Sequence, residues 1–316
     1  MQDNKISGLN ISPITLGTVQ FGLNYGIANK AGQPSYETAR DIIACAYEGG
    51  VTCLDTAALY GESETVLGRA LSELKISDKI TVATKICHIA DNLSAAEADS
   101  IVEKSVRQSM ANLRLDVIPI CMFHTESNFL QYAESLQKLK KKGLVKHIGS
   151  SVNTPDGAYG VVTSGLAEAM QMPSSVLDHR FIRAGVCKEA VKRGTALFVR
   201  SIYLQGLILM PEEDILPELA DVIPIRRRLY ALASQAGITP AELAVRYMLG
   251  VEGITSLVIG VDSAEQMREN VSLFGKGPLE ADLQSAITAA VPDLSDKILF
   301  PGNWSKRMAD AKPQNR

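Results

Sequence analysis

The chain has 316 residues, 46% of them hydrophobic, which is enough for a large buried core and an ordinary size for one α/β barrel. A formal net charge of −3 argues against a nucleic-acid or anionic-membrane partner. Cysteines 45, 53, 87, 121 and 187 show no CxxC spacing, no run of about 18 or more uncharged apolar residues occurs, and no signal-peptide core follows polar Met1–Lys5; the expectation is a cytoplasmic chain with reduced thiols, no metal site and no membrane span.

Lys5–Ile11, with Gly8 between, reads as a small hairpin over a barrel floor. A strand at Ile14–Val19 then opens an alternation of short apolar runs with helical patterns, the mark of βα units and a parallel sheet. Ala39, Ile42, Ile43 and Ala46 fall at helical spacing, and Gly49-Gly50 stops that helix. Strands follow at Thr52–Asp55 and Ile80–Lys85. Ser94 and Glu97 form a capping box before a helix ending near Leu113. Val117–His124 is the next strand; Pro119 inside it lacks a ladder donor, so a bulge or a late start at Ile120 is expected. Lys140–Lys142 close the following helix, where cations complement its dipole.

Strands at Lys146–Ser150, Ala167–Gln171 and Ala196–Ser201 come next, with a helix opening at Thr154-Pro155. Met210–Ile223 is long and proline-rich for a connection and reads as an extra helix inserted after strand seven. Thr239-Pro240-Ala241-Glu242 is a second box with proline at the first helical position. After the strand Ser256–Gly260, Asp262 and Glu265 repeat the box spacing before the last barrel helix. The tail after about residue 297 is irregular, expected over the barrel mouth or partly disordered. Eight strands suit a closed (β/α)8 TIM barrel forming a single domain over residues 1–316.

Reactive groups of such barrels sit at the C-terminal ends of strands. Asp55 ends strand two, Tyr60 follows in the next loop, Lys85 ends strand three and His124 ends strand four. Titratable groups closing apolar strands are costly to bury unless paired, and at one mouth they can pair with each other. Hydride reduction of a carbonyl places negative charge on oxygen, which needs hydrogen-bond donors and then a proton. A tyrosine hydroxyl can donate, a nearby ammonium strengthens it as an acid, and a carboxylate holds the ammonium in place. Singly, each residue has an ordinary role: a cap for Asp55, a snorkelling cation for Lys85, a structural histidine for His124.

Together, Leu16-Gly17-Thr18, Leu54-Asp55-Thr56-Ala57 with Tyr60-Gly61, Ala83-Thr84-Lys85 and Phe123-His124 resemble the aldo-keto reductase superfamily from about Ile14 to Asn270. The resemblance implies a (β/α)8 barrel and an oxidoreductase using NAD(H) or NADP(H) to interconvert a carbonyl and an alcohol. It makes Tyr60 the general acid, Lys85 and Asp55 its tuning pair, and His124 the group that positions the carbonyl.

No Gly-x-Gly-x-x-Gly follows a strand, but a barrel can hold phosphates with its last loops and a helix N-terminus. Gly260-Val261-Asp262-Ser263 with Gln266, Glu269 and Asn270 resembles the family's adenosine stretch. Ser151 and Gln171 match residues that hold the nicotinamide amide, although Val152 replaces the family's asparagine and Asn153 comes one residue later. Arg200-Ser201 and Leu204-Gln205-Gly206 match the stretch flanking nicotinamide and pyrophosphate, with Arg200 where many members place an aromatic. Gly17 and Thr18 complete the cofactor set. Members preferring NADPH often carry a basic residue near Asp262; here the nearest cation is Arg268. A carboxylate repels a 2′-phosphate and can accept from a ribose hydroxyl, which favours NAD(H), but the same residue can cap its helix.

Phe21, Asn24, Tyr25, His88, His179, Arg180 and Trp304 are candidates to reach the substrate. Aromatic content of 5% suggests a polar pocket, hence a sugar-like carbonyl or polyol. A broad-specificity aldehyde reductase and a nicotinamide-binding regulatory subunit are the alternatives. Small molecules are the expected partners.

Overall fold

The computed structural model describes residues 4–6, 8–25, 32–302 and 304. Two short antiparallel strands, β1 (Asn4–Ile6) and β2 (Leu9–Ile11), form the expected hairpin, with Gly8 at φ +92 in its turn. Eight parallel strands then close a barrel: β3 (Ile14–Gly17), β4 (Cys53–Asp55), β5 (Thr81–Lys85), β6 (Ile118–Phe123), β7 (Val145–Ser151), β8 (Ala169–Pro173), β9 (Ala196–Arg200) and β10 (Ile254–Gly260). They follow one another around the barrel in chain order, and β10 pairs with both β9 and β3. This is the (β/α)8 TIM barrel that the alternation of runs predicts.

The helices are α1 (Tyr36–Glu48), α2 (Ser63–Leu74), α3 (Ala95–Leu113), α4 (Glu126–Lys141), α5 (Pro155–Thr163), α6 (Arg180–Arg183), α7 (Val186–Arg193), α8 (Ile223–Gln235), α9 (Pro240–Leu249), α10 (Ala264–Gly275), α11 (Ala281–Ala290) and α12 (Asp296–Leu299). The Ser94–Glu97 capping box is complete, and Thr154 and Thr239 cap α5 and α9, each with proline inside the first turn. Among the described residues no helix is long and apolar enough to cross a membrane.

Four expectations need correction. Pro119 lies inside β6 without a bulge: the Ile118 amide bonds towards β7, and pairing with β5 begins only at Ile120, so the missing donor faces no ladder partner. Met210–Val222 contains no α-helix; 3-10 turns at Glu212–Asp214 and Pro217–Val222 follow extended Pro211 and Leu216, and regular helix begins only at Ile223. The cap of α10 is Ser263, whose hydroxyl accepts from the Gln266 amide, rather than Asp262. Trp304 is buried at 2% exposure with its indole N–H on the Lys297 carbonyl, so the tail residues near it form packed structure; the rest of the predicted tail lies outside the described residues.

Strand periodicity arranges the interior. Cys53, Ala83, Met122, Ala169, Phe198 and Val258 belong to one buried cluster that is closed from below by Ile11 of β2. Two residues further along the same strands stand Asp55, Lys85, His124, Gln171, Arg200 and Gly260. Side chains alternate in direction along a strand, so this second row also points inward, at the C-terminal mouth.

Candidate active site

Lys85 and Asp55 end adjacent strands β5 and β4, both almost fully buried, and the Lys85 ammonium donates to Asp55 Oδ1 at 2.6 Å. The ammonium also donates to the Thr56 carbonyl at 3.0 Å, and the Gln171 amide donates to Asp55 Oδ1 at 2.8 Å. The Lys85 Nζ stands 5.2 Å from the centre of the Tyr60 ring, and that ring meets the His124 ring edge-on at 6.0 Å. The four residues expected to form the catalytic group are therefore gathered at one mouth.

The loop that carries Tyr60 is held by close backbone packing. Gly61 has φ +52, and a Cβ on it would lie 2.3 Å from the Gly22 carbonyl oxygen. A Cβ on Gly22 would in turn meet the Tyr60 carbonyl at 1.8 Å. Beneath this contact Ser63 joins the loops: its amide donates to the Tyr60 carbonyl, and its hydroxyl lies 2.8 Å from Thr18 Oγ1 and 3.0 Å from Thr56 Oγ1. Thr18 also donates to the Asp55 carbonyl at 2.8 Å, so it serves the framework.

Burial pushes the Tyr60 phenol above its ordinary range, and Lys85 opposes that push without reversing it. Burial alone would lower the Lys85 pKa, but Asp55 and then Tyr60 outweigh it, so the ammonium is held charged. Burial, reinforced by Lys85, Arg200 and His88, lowers His124 to about 4, leaving a neutral imidazole at pH 7. Its Nδ1 is buried without a partner among the described residues. The site thus presents an ammonium, a neutral phenol and a neutral imidazole around one space, a donor set suited to oxyanion stabilisation and proton delivery.

The residues expected to meet the cofactor lie at the ends of β3, β7, β8, β9 and β10 and just after them. Ser201, Leu204, Gln205 and Gly206 all have left-handed backbone, with φ of 65, 47, 51 and 93. Left-handed turns can present amides to an anion; here the Leu204 and Gly206 amides bond to the Ser201 and Tyr203 carbonyls, and the capped N-terminus of α10 follows neighbouring β10. Asp262 Oδ1 is buried without a partner among the described residues, while its amide donates to Gln266 Oε1 at 2.8 Å. Asn270 donates to the Gln266 carbonyl and accepts from the Tyr203 hydroxyl; Glu269 beside it is exposed. Gly260 lies under the Gln20 amide, which a Cβ would meet at 2.2 Å. Ser151 and Gly17 are buried at the ends of their strands. Left-handed turns, a carboxylate oxygen without a partner among the described residues and polar strand ends together fit a nicotinamide dinucleotide.

The substrate candidates separate. His88 is exposed and close enough to His124 to act on it electrostatically. Exposed Tyr25 receives a hydrogen bond from Gln205 Nε2 at 3.3 Å across the mouth, and Asn24 is exposed beside it. Phe21 is 1% exposed within the core. His179 is 3% exposed and stacks on Tyr247 of α9, with ring centres 5.3 Å apart. Arg180 pairs with Asp178 at 2.9 Å and Asp296 at 2.5 Å. The structure therefore groups Tyr25 and His88 with the mouth and binds His179 and Arg180 elsewhere.

One supporting residue, Glu64, escapes a reading of strand-end motifs, and a second, Asn153, shows there only as a displaced asparagine. Glu64, 2% exposed, accepts from Thr84 at 2.7 Å and from Asn112 at 3.2 Å, fixing the outward side of the strand end whose inward side is Lys85. Asn153 Oδ1 accepts from Arg200 Nη2 at 2.7 Å. The signals were an acidic residue in the first turn of α2 and an asparagine one place after the family's usual position.

A mouth of this construction defines a carbonyl–alcohol oxidoreductase on a barrel scaffold. The chain belongs to the aldo/keto reductase family, whose model matches residues 13–291. It is 26% identical over 284 residues to D-arabinose 1-dehydrogenase of Saccharomyces cerevisiae, covering 82% of each chain. It is 26% identical over 291 residues to L-galactose dehydrogenase of Arabidopsis thaliana, covering 84% of this chain and 85% of that one. The solved structure of aldo-keto reductase AKR11C1 from Bacillus halodurans superposes with a TM-score of 0.76 at 21% identity, covering 92% and 97% of the two chains, and bears on the fold. The family uses nicotinamide cofactors.

Proposed function

We propose that this chain interconverts a polar, sugar-like carbonyl and its alcohol with NAD(H), using Tyr60 as proton donor, Lys85 and Asp55 as its electrostatic support and His124 as the carbonyl's hydrogen-bonding partner. The observation that carries the proposal is the placement of the Lys85 ammonium, paired with Asp55, 5.2 Å from the Tyr60 ring centre. A bound nicotinamide supplies or accepts the hydride. In reduction, the Tyr60 hydroxyl delivers its proton to the carbonyl oxygen as charge develops there, and Lys85 stabilises the phenolate that remains. Neutral His124 donates a hydrogen bond to the same oxygen and fixes the approach of the carbonyl. In the alcohol-to-carbonyl direction these proton movements reverse.

Exposed Tyr25 and His88, with Gln205, give the rim polar groups suited to hydroxyl-rich substrates. The names of the yeast and plant relatives, both sugar dehydrogenases, agree with that reading. For the cofactor, Asp262 offers a carboxylate whose Oδ1 has no partner among the described residues, whereas Arg268 is engaged by Glu265 at 2.6 Å. Ser201, Gln205 and Gly206 support the diphosphate; Ser151 and the Gln171 side-chain Oε1 support the amide; Gln266, Glu269 and Asn270 support the adenosine.

The test is turnover of aldoses, keto-sugars and small aromatic aldehydes with NADH and NADPH, in the wild type and in Tyr60→Phe. Sugar-like substrates should be preferred, and the variant should lose at least about 100-fold in the chemical step while still binding cofactor. Near-normal single-turnover reduction by the variant would remove Tyr60 from the role, and preference for aromatic aldehydes would favour a broad-specificity aldehyde reductase.

A further inference from the structure

Arg200 is not explained by the chemistry above. It closes β9 with the inward parity of Ala196 and Phe198 below it. Its Nη2 donates to the Val152 carbonyl at 3.3 Å and to Asn153 Oδ1 at 2.7 Å. Because β8 lies between β7 and β9, these bonds carry the side chain over the end of β8, across the mouth. Both hydrogen bonds use Nη2, so among the described residues Nε and Nη1 remain as donors.

The charge count around it is unbalanced. Lys85 is neutralised by Asp55 at 2.6 Å, while Arg200 has no ion pair among the described residues. Glu126 accepts from the Asn153 amide at 3.3 and 3.2 Å and from Thr154 Oγ1 at 3.1 Å, so it is engaged by the turn that tethers Arg200. A partly buried guanidinium fixed by two acceptors, with donors left over and no counter-ion, is a preorganised receptor for an anionic oxygen group.

We propose that Arg200 binds an anionic group, carboxylate or phosphate, on the substrate, so that the preferred carbonyl compounds are acidic, such as uronate-like or phosphorylated sugars and semialdehyde acids. This rests on the catalytic assignment made above and narrows its substrate class. It departs from the resemblance, which sets residue 200 beside the nicotinamide.

The test uses matched pairs: succinic semialdehyde against butyraldehyde for carboxylate, and glyceraldehyde 3-phosphate against glyceraldehyde for phosphate. The readout is the ratio of kcat/KM within each pair, which cancels general effects on cofactor binding or folding. The wild-type ratio should favour the anion by at least about tenfold in one pair, and Arg200→Gln should bring it near unity, with Arg200→Lys recovering part of it. Which pair responds names the anion. A wild-type ratio near unity in both pairs, or one unchanged in Arg200→Gln, overturns the proposal; a weakened NADH Kd with an unchanged ratio assigns Arg200 to the cofactor instead. If the wild type turns over none of the four aldehydes, the catalytic reading fails separately, and succinate and inorganic phosphate binding decides for Arg200. Stabilisation of the NADH-containing wild type beyond sodium chloride of equal ionic strength, absent in Arg200→Gln, supports the anion site, and its absence in the wild type overturns it.

Discussion

The Lys85 ammonium donates to Asp55 Oδ1 at 2.6 Å with 1% and 5% of the two side chains exposed. Removing two charges from water is expensive, so the pair persists through its geometry and its extra bonds to Thr56 and Gln171. Such a pair is a poor device for stability alone. It is a good one for holding a full, buried positive charge against the Tyr60 ring.

Lys85→Met tests that coupling. Lys85 lowers the Tyr60 pKa against the upward push of burial, so its loss should raise that pKa further. Reduction needs the protonated phenol and fails as pH rises through its pKa; the alkaline limb should therefore move to higher pH while the rate falls. Asp55 loses its cation, and unfolding free energy should drop by about 3–5 kcal/mol. An unchanged pH profile with a near-normal rate rules the coupling out.

Gly61→Ala addresses the loop that carries Tyr60. At φ +52 an alanine is strained, and its Cβ would meet the Gly22 carbonyl at 2.3 Å. We expect a loss of about 1–3 kcal/mol in denaturant melts and a clear fall in single-turnover rate, because the loop must shift. Gly8→Ala, at φ +92 with open space around it, should share the strain and keep the rate. Equal rates for the two variants would separate the Gly22–Gly61 contact from the placement of Tyr60.

Much of this arrangement is legible before any coordinates, because strand periodicity does two jobs at once. It marks the eight barrel strands and fixes which strand-end residues share the inner face, which is why Asp55, Lys85 and His124 meet. What depends on contacts distant in sequence is not legible. Phe21 and Trp304 look like mouth aromatics and are core residues, since local pattern carries no sign of what packs over a loop. His179-Arg180 looks like a polar substrate pair, but Tyr247 and Asp296, far along the chain, take both. Asp262 and Ser263 are adjacent capping residues, and only the backbone angles select serine.

His179→Phe tests the stack on Tyr247 through its pH dependence. Burial lowers His179 to about 4, below its unfolded value near 6.5. The unfolded chain therefore binds more protons between these values, and stability is lost as pH falls through that window. At pH 5 the loss amounts to about 2 kcal/mol. Phenylalanine keeps a ring against Tyr247 and cannot titrate, so urea midpoints should fall less steeply from pH 6.5 to 4. Parallel curves for wild type and variant would show that His179 does not carry this proton linkage.

Cofactor choice turns on Asp262. The hypothesis is that its carboxylate, with Oδ1 buried and unpartnered among the described residues, faces the position of a 2′-phosphate. A close approach near the surface should cost on the order of 1–3 kcal/mol, roughly 5–150-fold in NADPH affinity. Because Ser263 caps α10, Asp262→Asn should leave the melting temperature almost unchanged. It should nevertheless tighten NADPH binding, and Asp262→Arg should do so further, with NADH similar or weaker. Burial raises the Asp262 pKa, so the repulsion is present above that raised value and fades as pH falls through it. The NADPH-to-NADH affinity ratio of the wild type should therefore rise as pH falls through that raised value, and that of Asp262→Asn should not. Fluorescence titration of both cofactors against the wild type and both variants at two pH values decides the matter. Wild-type protein that binds NADPH more tightly than NADH would show the hypothesis to be wrong and leave Arg268, freed from Glu265, as the candidate to hold the phosphate.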